Sequence, residues 1–101
     1  MRIDKRQSGR ELALEIAGEV TIYGALPLHQ AVLTSLAEAD SIELDLSGVT
    51  ELDTAGVQQL LLLAREARAR GLRFRISADS PATRDVFALY RIDSHFIAGV
   101  P

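Results

Sequence analysis

Apolar and polar positions change period several times along this chain, and each change marks a predicted element. Leu12, Leu14 and Ile16 alternate with Ala13, Glu15 and Ala17, the two-residue period of a half-buried strand. The preceding polar segment, Met1 to Arg6, is predicted to pair antiparallel with it as a charged edge strand, across a turn at Gln7-Ser8-Gly9-Arg10. Gly18 is expected to break the second strand. Thr21 to Pro27 then leads into a helix ending near Ala39, with Pro27 in its first turn and Leu28, Val32, Leu33 and Leu36 as its buried stripe.

The organising stretch is Ser41 to Gly71. Ile42, Leu44 and Leu46 alternate with Glu43 and Asp45, so a third strand is predicted, closed by a turn at Ser47-Gly48. From Val57 the period becomes helical, with Val57, Leu60, Leu61, Ala64 and Ala67 on one stripe. Asp53 and Thr54 are good N-cap types for this helix; Arg65, Arg68 and Arg70 suit its negative end, and Gly71 is placed to close it. Leu72, Phe74 and Ile76 alternate with Arg73 and Arg75 in a fourth strand. A last helix is capped by Ser80, starts at Pro81 and turns Val86, Phe87 and Tyr90 inward, with Ile92 and Phe96 tucked beneath it and a loose tail from Ile97 to Pro101.

The order β-β-α-β-α-β-α carries a topological consequence. Successive right-handed crossovers between parallel strands place their helices on one face of the sheet. The strands agree, since each has one apolar and one polar side, unlike strands covered on both faces. The fold class predicted is α/β: a two-layer, four-stranded mixed sheet with one antiparallel edge strand and helices mainly on one face. The polar face collects Glu11, Glu15, Glu43 and Asp45 on two strands and Arg73 and Arg75 on a third, which could pair across the sheet.

At 101 residues the chain is read as a single domain, 1–101. A formal charge of −3 argues against a nucleic-acid partner, whose backbone calls for a basic face. The absence of cysteine removes thiol chemistry and disulfides. No long apolar span or leader is apparent, so no direct membrane insertion and a cytoplasmic location are expected. No cofactor or metal is expected either: the glycines form no phosphate-binding loop, and His29 and His95 have no ligand spacing around them, His29 being read as a helix-surface residue. Asp45 and Asp53 lack the cleft a catalytic pair requires, so no enzyme activity is assigned.

Asp53-Thr54-Ala55-Gly56 stands out: a hydroxyl at a helix N-terminus, where free backbone N–H groups and the positive dipole end would receive a phosphate. With the strand-turn Asp45 to Val49 (DLSGV) and the corner Leu52 to Val57 (LDTAGV), the chain resembles the STAS family, the domain of anti-sigma factor antagonists. Echoes at Gly18 to Tyr23 and Ser80 to Ala82 extend the likeness over nearly the whole chain. The resemblance implies a non-catalytic regulatory protein that binds an anti-sigma or kinase partner through the corner and the following helix. It also implies that the usual phosphoacceptor is the second hydroxyl position, here Ala55, which leaves Thr54 as the only candidate in the corner. Relatives with different roles include the STAS subunit of the bacterial lipid-asymmetry ABC transporter, which docks on its ATPase, and proteins that accompany chemosensory kinases. The expected partner-binding residues are Asp53, Thr54, Ala55, Gly56, Gln58 and Leu62. Leu62 and Leu63 both fall off the predicted stripe, and either form part of this surface or are covered by the last helix or the C-terminal loop.

Overall fold

The computed structural model describes residues 1–91, with residues 22 and 24–28 described by their backbone alone. The expected roles of Leu28, Ile92, His95, Phe96 and the tail from Ile97 lie outside the described residues. The elements run β1 (Arg2–Ser8), β2 (Glu11–Val20), α1 (Ile22–Leu36), β3 (Ser41–Leu52), α2 (Thr54–Ala69), β4 (Arg73–Ala78) and α3 (Pro81–Tyr90). They form one four-stranded sheet in the order β1-β2-β3-β4, with β1 antiparallel to β2 and the other two pairings parallel. The two crossovers, through α1 and α2, step the same way along the sheet, so both helices cover one face. Leu12, Leu14, Ile16, Ile42, Leu44 and Leu46 are buried on that face, while Ala13, Glu15, Glu43 and Asp45 are only half-buried on the other.

The tight hairpin turns at Gly9, whose φ of 59° suits the first position of a type II′ turn. Helix α2 closes in a Schellman arrangement: Gly71 at φ 76°, with its N–H on the Arg68 carbonyl and the Leu72 N–H on the Ala67 carbonyl. Helix α3 starts with Pro81 behind a reciprocal box. The Thr83 N–H donates to Ser80 Oγ (3.2 Å) and the Ser80 N–H donates to Thr83 Oγ1 (2.8 Å). On the open face Arg75 Nη2 lies 2.8 Å from Glu43, a pair of the kind expected, and Arg6 Nη2 of β1, outside that expectation, lies 3.3 Å from Glu15.

Four sequence expectations change. Ser47-Gly48 is not a turn; β3 runs unbroken from Ser41 to Leu52, and Gly48 has no positive φ. Residues 45 to 48 of β3 face 15 to 17 of β2, and 49 to 51 face 18 to 19, so β3 carries an extra residue at two places. Each bulge reverses the in–out alternation. That is why Leu46, Val49 and Leu52, three apart, are all buried. Glycine is needed at Gly48 because a Cβ there would meet the Ala17 Cβ at 2.9 Å. Secondly, β2 passes through Gly18 (φ 89°) to Val20 instead of stopping at it. Thirdly, α1 begins at Ile22, one residue after the sheet, so Pro27 lies inside the helix rather than in its first turn and forgoes one helical hydrogen bond. Finally, β4 starts at Arg73 and leaves Leu72 half-buried in front of it.

Helix α3 packs on β3. Strand β4 ends at Ala78 opposite Asp45, while β3 continues to Leu52, and α3 serves this unaccompanied end. Its Phe87 is 1% exposed in the common core. Among the described residues no helix is long and apolar enough to cross a membrane.

The first bulge has its own support. Asp45 Oδ1 accepts from the Ser47 N–H (2.9 Å) and from Ser47 Oγ (2.6 Å), and these bonds hold its carboxyl below the usual carboxylate range. A depressed folded pKa contributes stability above the unfolded value, about 3.9, that is lost as pH falls through the folded one. Because these bonds face solvent, which screens them, Asp45→Asn should lower stability at neutral pH by at most about 1 kcal/mol. In urea titrations the gap between variant and parent should close as pH drops below about 4.

Candidate functional site

The site is assembled where three elements end. Val20 and Leu52 are partners across β2 and β3, and the Asp53 N–H donates to the Val20 carbonyl at 3.3 Å as the chain leaves the sheet. Asp53 has extended backbone and caps α2. Its Oδ1 accepts from the Gly56 N–H at 2.9 Å, and its carbonyl accepts from the Val57 N–H at 3.0 Å. Of the two candidate caps, then, Asp53 does the capping and Thr54 is the first helical residue.

Gly56 is buried, and a Cβ on it would collide with the Val20 carbonyl oxygen and stand 2.6 Å from Leu52 Cδ1. Only glycine lets the first turn of α2 descend this far onto the sheet. The descent also decides which side of α2 is buried. Gly56, Val57, Leu60, Leu63, Ala64 and Ala67 face inward. The inward stripe is thus rotated from the one expected: Leu63, read as off the stripe, lies on it and is 1% exposed, while Leu61, read as on it, is 36% exposed. Leu62 is 43% exposed, as the surface alternative required, and is covered by no described element.

The outward face presents Thr54, Gln58 and Arg65 in a line, with Leu61 and Leu62 on either side of it. Thr54, Gln58 and Leu62 share this face as expected; Ala55 is half-buried beside it, and Gly56 lies underneath, so it shapes the surface without joining it. Sequence reasoning missed Tyr90. Placed on the apolar side of α3, it is instead 47% exposed, and its hydroxyl lies 3.1 Å from Thr54 Oγ1. The neighbouring Leu89 is 77% exposed, and Tyr23, three residues past Val20, is 91% exposed. The signal for Tyr90 was available in principle, since it follows Val86 and Phe87 at helical spacing but lies at the last turn, beyond the sheet. His29 also departs from the reading: it is half-buried, with Nδ1 shielded and without a hydrogen-bond partner, as is Gln59 Oε1. Among the described residues no group of acidic or histidine side chains is arranged to hold a metal ion.

This arrangement, a mixed four-stranded sheet with a capped helix rising from an Asp-Thr-small-Gly corner, defines a STAS domain. The family model described as "Mlab, STAS domain" matches residues 3–98, and the chain belongs to that family. An anti-sigma factor antagonist from Mycobacterium paratuberculosis shares the fold with a TM-score of 0.82 at 24% identity, over 94% of this chain and 81% of that one. The Bacillus cell-fate determinant SpoIIAA in its phosphorylated form gives 0.71 at 16% identity, over 95% and 89%. SpoIIAA in its unphosphorylated form gives 0.72 at 19%, over 87% and 83%.

Gly56→Ala tests the close approach directly. The added methyl meets backbone, which cannot swing aside, so stability should fall by roughly 1–3 kcal/mol or more in denaturant titrations. Thr54→Ala, two residues away on the surface, should stay within about 0.5 kcal/mol. A neutral Gly56→Ala would mean the corner is looser than drawn.

Proposed function

We propose that this protein is a non-catalytic regulatory module that binds a protein partner through the Thr54 corner and the outward face of α2, after the manner of anti-sigma factor antagonists. The observation that carries this reading is the combination at one place of Thr54, Gln58, Leu61, Leu62 and Tyr90, all exposed around a rigid helix start. Large apolar side chains rimmed by polar groups are the composition of a protein-binding patch, and tyrosine is a frequent anchor in one. Membership of the STAS family and the fold shared with anti-sigma factor antagonists support the same role. The partner would be an anti-sigma factor or kinase.

Ala55 favours a second reading. With alanine at the position of the usual acceptor, phosphate-driven release would have only Thr54 to act on, and Thr54 is already engaged with Tyr90. A constitutive docking subunit, seated on the ATPase of a lipid-transport ABC complex or in a chemosensory cluster, needs no such release. Intact-mass spectrometry after incubation with the host's corner-directed kinase separates the two. The docking-subunit reading expects an unchanged mass; stoichiometric phosphate that Thr54→Ala abolishes would favour the switch.

Binding and folding can be told apart at this surface. Thr54→Asp puts a negative charge in the first turn of α2, where the helix dipole favours it, so the free protein should be as stable as the parent or slightly more so. On docking, that charge would be desolvated without a partner built for it. Leu62→Ala should remove about 1–3 kcal/mol of binding, roughly a five- to hundred-fold loss of affinity, with little change in thermal midpoint. Retention of the native partner by both variants in quantitative pull-downs would exclude this face as the interface.

A further inference from the structure

At the far end of the strands from Thr54, where β2, β3 and β4 begin, the structure holds a trough of about 910 Å³ that the corner does not use. The register explains its form. Arg6, Ala13, Glu43 and Arg75 are successive partners across all four strands, and Ser8, Glu11, Ser41 and Arg73 form the next rung on the same face. Ala13 is the small residue among long neighbours, so the sheet is concave there, with Leu72 at one margin. Neighbouring strands stand about 4.8 Å apart, so the rung spans about 14 Å.

The lining carries four arginines, Arg6, Arg68, Arg73 and Arg75, against two glutamates, Glu11 and Glu43. Glu15, just outside the lining, pairs with Arg6, and Arg68 has a partner of its own, so the trough's cationic character rests on Arg73 and Arg75. Arg75–Glu43 and Arg6–Glu15, ion pairs among the described residues, join exposed side chains, which makes them weak and easily exchanged. The Arg73 guanidinium and the Glu11 carboxylate enter no ion pair among the described residues.

We infer that this trough binds a phosphate-bearing ligand, gripped by Arg73 and Arg75 with Arg6 on the opposite wall. A guanidinium presents a planar fork of N–H donors that fits two phosphate oxygens at once, and a phosphate group has enough oxygens to engage two forks. A carboxylate, with two oxygens, fills one fork and leaves the other without a partner. Glu43 competes with the ligand for Arg75, so its carboxylate limits affinity.

The test titrates the full chain with inorganic pyrophosphate by calorimetry, and in parallel with phosphatidylcholine vesicles with and without phosphatidic acid by co-sedimentation. Saturable binding is expected in at least one arm: pyrophosphate binding assigns a soluble ligand, and binding to the acidic vesicles alone assigns a lipid headgroup. Arg73→Gln with Arg75→Gln should weaken it at least tenfold, and Gln30→Ala, on the exposed side of α1 and outside both surfaces, should leave it unchanged. Glu43→Gln should tighten it severalfold, an outcome that loss of structure could not produce, so the site remains testable if the double variant folds poorly. No binding in either arm, full binding by the arginine double variant, weaker binding by Glu43→Gln, or tighter binding of polyglutamate than of either probe would each overturn the assignment.

Discussion

The contact on which the rest of this structure depends is the seating of Gly56 against the Val20 carbonyl and the Leu52 side chain. It brings the first turn of α2 down to the ends of β2 and β3 and sets the rotation of the whole helix about its axis. Because a helix is rigid over a few turns, fixing its start decides which leucine faces the core ten Ångström further on. Leu63 turns in and Leu61 and Leu62 turn out as a consequence. The candidate surface is thus a by-product of a packing constraint two turns away from its leucines.

The sheet makes that seating possible. Two extra residues in β3 re-phase its alternation, so that Leu46, Val49 and Leu52 all enter the core and the strand reaches the corner still hydrophobic on its inner face. Without them Val49 would point to the open side. Gly48 permits the first bulge to lie close against Ala17, and the Asp45–Ser47 hydrogen bonds fasten it. Helix α3 then covers the part of β3 that β4 does not reach, and its last turn delivers Tyr90 to Thr54. Corner, bulges and α3 form one connected device.

The two ends of the strands differ in chemistry. The corner end offers leucines, tyrosines and one hydroxyl pair, a surface matched to a protein. The opposite end offers arginines above an alanine floor, a surface matched to an anion. A parallel sheet separates such sites naturally, since helix starts gather at one end of the strands and strand starts at the other.

What the sequence by itself determined was everything carried by local period and local chemistry. The alternation of Leu12 to Ile16, Ile42 to Leu46 and Phe74 to Ile76 marked strands. Asp53, Ser80 and Gly71 marked helix ends, because a cap bonds within three residues of itself. The parallel order and the shared helix face followed from chirality. Only the tertiary structure decided the rest. A spacing of three at Leu46, Val49 and Leu52 reads equally as a turn, a helix or two bulges, and pairing with β2 selects the last. Four consecutive leucines, Leu60 to Leu63, fit several stripes, and the depth at which Gly56 seats α2 selects one. Tyr90 looked like core because its own helix is amphipathic, yet it stays exposed and its hydroxyl meets Thr54, 36 residues away in the chain. Long-range contacts of this kind leave no period in the sequence, since each partner is compatible with many surroundings and the fold picks one.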